Sequence, residues 1–358
     1  MGELKMSKFK VAVVGVGSIG GVHIRSYLQN EDVELYALCD INEKRLKFMG
    51  EEYGVTRLYT DEAQMLAELP ELDGVSVCTW NSAHAPCTIM ALDAGKHVLC
   101  EKPMATTVEE AEAMKEAAER NGKLLMIGFV RRFGSDCVFV EDMLKANKLG
   151  EVYYAKAMNI RRHGNPGGWF GEVERSGGGP LIDLGVHSID LVRYLIGKPK
   201  ATSVYGCTFN KLGARTDIKT PKQYIASSAT DHDICNCEDL ATAMIRFDNG
   251  IVLSMEMSFA LNTSDETNNI QIFGTKAGVK LSDDITMSAV QEGYLADLSF
   301  PGQKGFEFKK AFVRETKHFV DSAKGLCECK NTAEDGVEMM KILTAIYRSA
   351  ASGHEEIL

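Results

Sequence analysis

Lys8-Phe9-Lys10-Val11-Ala12-Val13-Val14-Gly15-Val16-Gly17-Ser18-Ile19-Gly20 opens a segment that closes, after a second apolar run from Val33 to Cys39, on Asp40. The order is apolar run, glycine turn, helix-like stretch, apolar run, acid. That is the layout of a strand–helix–strand unit able to hold a dinucleotide. Gly15 allows the tight turn, Gly17 lets the backbone approach a pyrophosphate, and Gly20 lets the helix pack closely on the strand. The helix start around Ser18 and Ile19 offers N–H groups and a positive dipole end to phosphates. Asp40 lies where a carboxylate accepts both ribose hydroxyls of an adenosine and repels a 2′-phosphate, so NAD is expected over NADP. A glycine pattern alone is weak. The strand before it, the helix after it and the acid at the right distance give it specificity. The competing role for Asp40 is a helix cap, which Asn42 next door can also fill.

A chain of 358 residues is too long for one ordinary core, so two domains are expected. The net charge is −10 with no basic block, which argues against binding to nucleic acid or to an anionic membrane. No stretch of about 18 apolar residues is present to span a bilayer. Met1 to Met6 lack an apolar signal region, and a cytosolic location is expected. Of the ten cysteines, Cys39, Cys78, Cys87 and Cys100 fall in apolar elements. Cys235/Cys237 and Cys327/Cys329 are spaced more tightly than zinc ligands usually are, with only His232 near the first pair. Reduced thiols and no metal are expected.

Beyond Asp40, helix and strand signals alternate. Asn42 to Tyr53 and Asp61 to Leu69 read as helices, Gly74 to Cys78 as a buried strand, and Ser82 to Ala94 as a helix closed by Gly95. Lys96 to Cys100 is the next strand. Thr107-Val108-Glu109-Glu110 is a capping box for a helix to Asn121, and Leu124 to Phe129 is a further strand. This rhythm argues for a parallel sheet covered on both faces, with ligands outside the strands' carboxyl ends. Thr79, Asn81, His84, Glu101, Lys102 and Pro103 then share a rim with Gly15 to Gly20.

Three stretches together resemble the glucose–fructose oxidoreductase / inositol dehydrogenase / rhizopine-catabolism (Gfo/Idh/MocA) family. They are Gly15-x-Gly17-x-x-Gly20-x-x-His23, Ala94 to Pro103 with Glu101-Lys102-Pro103, and Gly177-Gly178-Gly179-Pro180-Leu181-Ile182-Asp183-Leu184-Gly185-Val186-His187. Ile272 to Gly278 and Ala333 to Gly336 fit as well, so the resemblance spans nearly the whole chain. It implies an α/β protein with an NAD-binding Rossmann domain over 1–128. A C-terminal α/β domain over 129–358 would carry a large, open, mostly antiparallel sheet whose exposed face packs against a second subunit, giving a homodimer or homotetramer. Local signals agree. Val152 to Ile160 reads as a strand, and Glu238 to Phe247 and Ile251 to Phe259 flank Asp248-Asn249-Gly250, a type I′ hairpin signal. Gln271 to Gly274 and Gly278 to Leu281 are short strands; Arg314 to Lys324 and Ala333 to Ser352 read as helices.

Asp183 and His187 are four apart on an expected helix, so both can point the same way, at a boundary between core and cleft. Oxidising an alcohol requires a hydride to leave carbon and a proton to leave oxygen, and imidazole is the side chain best suited to the second task at neutral pH. The resemblance implies His187 as general base, Lys102 as the cation on the reacting oxygen and Asp183 as the orienting acid, without deciding whether lysine or histidine takes the proton. It also suggests Trp169 against the nicotinamide and Arg161 or Arg162 near cofactor or substrate. Arg131 and Arg132 follow the last Rossmann strand, where either one holds substrate or both are solvated. Cofactor contacts are expected from Gly15, Gly17, Ser18, Ile19, Gly20, Asp40, Thr79, Asn81, His84, Glu101, Lys102 and Trp169. Substrate contacts are expected from Arg132, Arg162, Asp183 and His187. For Trp169 an aromatic plug is the equal alternative, and for His84 and His97 packing is the commoner role. The segment Thr208 to Asp233, with Lys211, Arg215, Lys219, Lys222, Asp231 and His232, reads as a polar loop that sets substrate choice.

The function expected is NAD-dependent, reversible oxidation of a secondary ring hydroxyl of a polyol, sugar or glycoside, at an inositol or a sugar C3 position. A cofactor-retaining sugar oxidoreductase is the alternative within the same chemistry. A non-catalytic sugar or NAD sensor on this fold is the alternative outside it, and Lys102, Asp183 and His187 speak against that.

Overall fold

The computed structural model describes residues 7–216, 218–220, 224–230 and 232–358. Met1 to Met6, Lys222 and Asp231 therefore lie outside the described residues. The chain divides into two compact units, Met1–Gly128 with Phe312–Val337, and Phe129–Ala311 with Glu338–Leu358.

The first unit holds six strands: β1 (Phe9–Val14), β2 (Val33–Cys39), β3 (Leu58–Tyr59), β4 (Gly74–Val77), β5 (His97–Cys100) and β6 (Leu125–Ile127). They run in the order β3-β2-β1-β4-β5-β6, every pair parallel. Helices α1 (Ser18–Tyr27), α2 (Glu43–Tyr53), α3 (Glu62–Glu68), α4 (His84–Asp93) and α5 (Val108–Asn121) connect them. Strand order reverses between β1 and β4, which is where a doubly wound sheet opens a crevice at its carboxyl edge. The local signals fold as read. Thr107 and Glu110 form a reciprocal capping box, and Gly122 ends α5 in the left-handed region. The Asn42 side chain caps α2 by accepting the Arg45 N–H.

Residues 312–337, which the sequence reading leaves in the second domain, cluster with the first unit. Asn331 is fully buried, donates its side-chain amide to the Ile127 carbonyl at 3.0 Å and accepts the Ile127 N–H at 3.0 Å on its backbone carbonyl. Met126 and Thr332 thereby form an antiparallel bridge on the outer edge of β6. Phe319 meets Phe9 edge-on with ring centroids 6.0 Å apart. Contacts between such distant residues leave no local period in the sequence.

The second unit is organised on a nine-stranded sheet of β7 (Val152–Ile160), β8 (Ala201–Phe209), β9 (Leu240–Phe247), β10 (Val252–Ser258), β11 (Thr267–Gly274), β12 (Ala277–Leu281), β13 (Asp284–Gln291), β14 (Tyr294–Lys304) and β15 (Glu356–Ile357). The order is β14-β13-β12-β11-β7-β10-β9-β8-β15, antiparallel throughout except for the β7–β10 pair. Ala155, Ala157, Leu253, Met255, Ala243 and Ile245 alternate onto the buried face. Tyr205, Met244, Ser254 and Lys156 pair across the other face, where Tyr205 and Met244 are about half exposed. Helices α6 (Ser135–Lys145), α7 (Val173–Ser176) and α8 (Val186–Leu195) complete this unit, and its limits fall within α9 (Phe308–Ala323) and α10 (Ala333–Ser352).

The β9–β10 hairpin exists, but its turn is not type I′. That turn needs two central residues at positive φ, and only Gly250 of the loop has one, at 82°. Phe247 N–H donates to Ile251 O, and Gly250 N–H donates to Phe247 O. This is a three-residue loop with a left-handed glycine at its end. It keeps the strands' twist at the cost of one left-handed residue instead of two.

Candidate active site

The carboxyl edge of the parallel sheet is built first by backbone sterics. Gly15 has a φ of 86°, and a side chain there would lie 2.6 Å from the Cys78 carbonyl oxygen. A side chain on Gly20 would strike the Gly15 carbonyl, whereas one on Gly17 would meet nothing within 4 Å. The chain is thus closed on the protein side of this turn and open at Gly17. Gly17 N-caps α1 without a side-chain hydrogen bond, and the first turn carries no acid. An anion approaching this helix end meets a positive dipole and no competing carboxylate.

Asp40 stands beside the turn. Its Oδ2 accepts the Val16 N–H at 2.7 Å and its Oδ1 accepts the Asn42 N–H at 2.7 Å. Because Asn42 caps α2, Asp40 is not needed as a cap. Its two oxygens keep lone pairs for two further donors, as vicinal ribose hydroxyls would supply. Open space at Gly17, an uncapped helix end and a fixed carboxylate fit a pyrophosphate and a ribose, so the residues present suit NAD.

The next loops on the same edge carry the other expected residues. Thr79 is half-buried, and its hydroxyl donates to the Trp80 carbonyl at 3.2 Å; Asn81 is buried at the start of a 3-10 turn. His84 is buried, with Nδ1 2.7 Å from the Pro103 carbonyl and Nε2 3.2 Å from the Thr79 carbonyl. Burial pushes its pKa down. A neutral ring has one N–H, so His84 donates to one of these two carbonyls and packs between their loops. Glu101 is buried and Lys102 is half-buried at the end of β5. Burial pushes the Glu101 carboxyl up, but the hydrogen bond and charge of His23, with Lys102, outweigh it and hold the group below the ordinary carboxylate range.

In the second unit, Asp183 and His187 follow the glycine run. Leu181–Gly185 winds as a π turn ahead of α8, so the expected regular helix is corrected. π turns inside helices recur at functional sites. Between Leu181 and Arg193 only Asp183 and His187 are not buried. Ser188, Asp190 and Arg193 are buried with the apolar residues, so the stretch presents one acid and one imidazole to its surroundings.

Glu238, which the sequence reading missed, positions this helix. It accepts the Gly179 N–H at 2.8 Å, the Leu181 N–H at 3.2 Å and the Tyr347 hydroxyl at 2.9 Å. A buried carboxylate thus satisfies orphan N–H groups at a helix start. Burial raises its pKa against the pull of those donors. Nothing in the sequence separates this glutamate from any other at a strand end.

Trp169 lies in a 3-10 turn, half-buried and stacked on Phe170 at 4.1 Å between centroids. The Arg162 side chain is exposed, and its backbone N–H donates to Glu266 Oε1 at 3.1 Å. Asp239 Oδ2 gathers the N–H groups of Lys211, Leu212 and Gly213, and Asp233 holds the Gly168 N–H. Both acids anchor ends of the polar loop. Arg132 does not fit its expected role on substrate. It is fully buried, paired through Nε and Nη2 with Asp190 at 3.0 and 2.6 Å, with Phe129 and Tyr194 over its guanidinium. A substrate hydroxyl has no access to it there. Asp190, 58 residues further on, claimed a cation that sequence alone places next to a strand end.

Residues 9–129 match the model of an oxidoreductase family with an NAD-binding Rossmann fold, and residues 141–357 match the model of that family's C-terminal alpha/beta domain. D-glucoside 3-dehydrogenase of Escherichia coli (strain K12) is 34% identical over 351 residues, covering 97% of each chain. Myo-inositol 2-dehydrogenase of Thermotoga maritima is 25% identical over 338 residues, covering 91% of this chain and 92% of that one. The crystal structure of GenD2 from gentamicin A biosynthesis in complex with NAD aligns with a TM-score of 0.80 at 25% identity, covering 100% of this chain and 98% of that one. The chain belongs to the Gfo/Idh/MocA oxidoreductases and is an NAD-binding dehydrogenase that acts on CH–OH groups.

Proposed function

We propose that this chain oxidises a secondary ring hydroxyl of a sugar or glycoside to a ketone, with the C3 hydroxyl of a D-glucoside as the favoured substrate and inositols as the related one. The observation that carries the reading is the exposure pattern of 181–193, where an acid and an imidazole alone are not buried. The 34% identity to a D-glucoside 3-dehydrogenase over nearly the whole chain supports the substrate class. When bound, NAD supplies the acceptor for the hydride that leaves the substrate carbon. His187 takes the hydroxyl proton, Asp183 orients the imidazole or a neighbouring hydroxyl, and the Lys102 ammonium stabilises negative charge growing on the oxygen.

His187→Ala is expected to lower turnover by about 100-fold or more. A base must be deprotonated to act, so activity falls as pH drops through its ionisation. The substitution should therefore remove the acid limb of the kcat/KM profile, and an unaltered limb would exclude His187 as the base. Asp40→Ala is expected to weaken NAD by about 10- to 100-fold, the value of hydrogen bonds to a charged group. NADP should lose less, because a repulsion disappears along with the contact. Equal losses in titrations of the two cofactors would count against a ribose contact.

A further inference from the structure

The turn that delivers Lys102 is gripped by a chain of buried polar groups that the chemistry above does not use. His23 lies on α1, three residues beyond Gly20, and is fully buried. Its Nε2 is 2.8 Å from Glu101 Oε1, and the other carboxylate oxygen, Oε2, accepts the backbone N–H of Lys102 at 3.1 Å. The remaining ring nitrogen, Nδ1, is 3.2 Å from the Ser76 hydroxyl, which lies 2.7 Å from the Tyr27 hydroxyl. A side chain on Gly128 would come within 3.1 Å of Glu101 Oε2, so glycine there leaves the carboxylate its place. Phe312 packs on the imidazole at 5.5 Å, and a Glu315 carboxylate oxygen, a ring nitrogen of His23 and an oxygen of Glu101 lie within 4.8 Å of one another.

We propose that His23 is a positioning residue for Lys102, acting through the Glu101 carboxylate. This rests on the role given to Lys102 above. The carboxylate has two oxygens and two duties: one oxygen fixes the Lys102 backbone and the other is fixed by His23. Without the imidazole donor, Glu101 is held at one oxygen only and can rotate about its side chain, releasing the Lys102 N–H. The lysine then keeps its charge and loses its aim, and a displacement of about 1 Å at a reacting centre can cost about 100-fold in rate.

Two substitutions separate this from a merely structural role. Glutamine can place an amide N–H near the position of Nε2, whereas asparagine reaches only the position of Nδ1 and the Ser76 side. Turnover would be followed as NADH formation from methyl β-D-glucopyranoside and from myo-inositol, with NAD affinity, melting temperature and hydrogen exchange of the Lys102 amide measured on the same full-length proteins. His23→Asn is expected to lose about 30- to 100-fold in kcat and the protection of the Lys102 amide, with NAD affinity unchanged. His23→Gln is expected to restore most of both. Glutamine and asparagine variants that match each other in kcat, or in Lys102 amide exchange, would overturn the proposal. Should His23→Asn fail to fold, Glu101→Asp keeps the charge but is one methylene too short to hold both partners. It is expected to expose the Lys102 amide, and wild-type protection and turnover in it would also overturn the proposal. Turnover that survives Lys102→Ala would instead defeat the role of Lys102 itself, a separate failure.

Discussion

Lys102→Ala is expected to lower kcat by about 100- to 1,000-fold, the usual cost of removing one preorganised group from a developing oxyanion, while the Kd for NAD stays near the wild-type value. The two halves of that expectation have different origins. In the proposed function the cofactor is assigned to the glycine turn, the uncapped start of α1 and Asp40, none of which uses the lysine side chain. The proposed mechanism assigns the rate to a cation at the oxygen that loses its proton. Lys102 leaves β5 at the carboxyl edge, and its backbone is fixed by Glu101. A loss confined to kcat, seen in steady-state kinetics beside an NAD titration, supports a transition-state role. A parallel loss of NAD affinity would make Lys102 a cofactor ligand first.

Arg132→Ala is expected to destabilise the second unit by about 3–5 kcal/mol, the range for breaking one partner out of a buried ion pair. The cost comes from a stranded charge. Arg132 and Asp190 are 0% and 1% exposed, and the guanidinium meets the carboxylate through two nitrogens. Alanine leaves the Asp190 carboxylate in a site lined by Phe129 and Tyr194 with its main counter-charge gone. Replacing the pair together, as Arg132→Met with Asp190→Leu, should cost much less, because neither charge is left behind. Denaturant midpoints of the three variants measure this. A single variant as stable as wild type, with a raised KM for sugar, would return Arg132 to the substrate.

The parts of this molecule legible in sequence are those fixed by neighbours in the chain. Gly15 to Gly20 with Asp40, the Thr107–Glu110 box and the Gly250 turn each depend on residues within about one helix or hairpin, and each is present. The turn at Asn249 departs from type I′ because Asn-Gly tolerates two left-handed residues without requiring them. The rest depends on partners far along the chain. The π turn that carries Asp183 is held by Glu238, which bonds Gly179 from 59 residues away, and Glu238 is in turn held by Tyr347 a further 109 residues on. Residues 312–337 join the first unit through Asn331 and Phe319. His23 was visible only as a member of a motif; its grip on Glu101 needs β5 and α1 side by side.

Transfer of a hydride and a proton from a secondary ring alcohol is measured as NADH formation with wild-type protein, saturating NAD and a panel of D-glucosides, free hexoses and inositols. A steady rise in NADH absorbance with at least one of them, strongest among glucosides and absent when its C3 hydroxyl is replaced by hydrogen, is the expected result. A panel in which no ring alcohol yields NADH, while NAD binds normally, would contradict it.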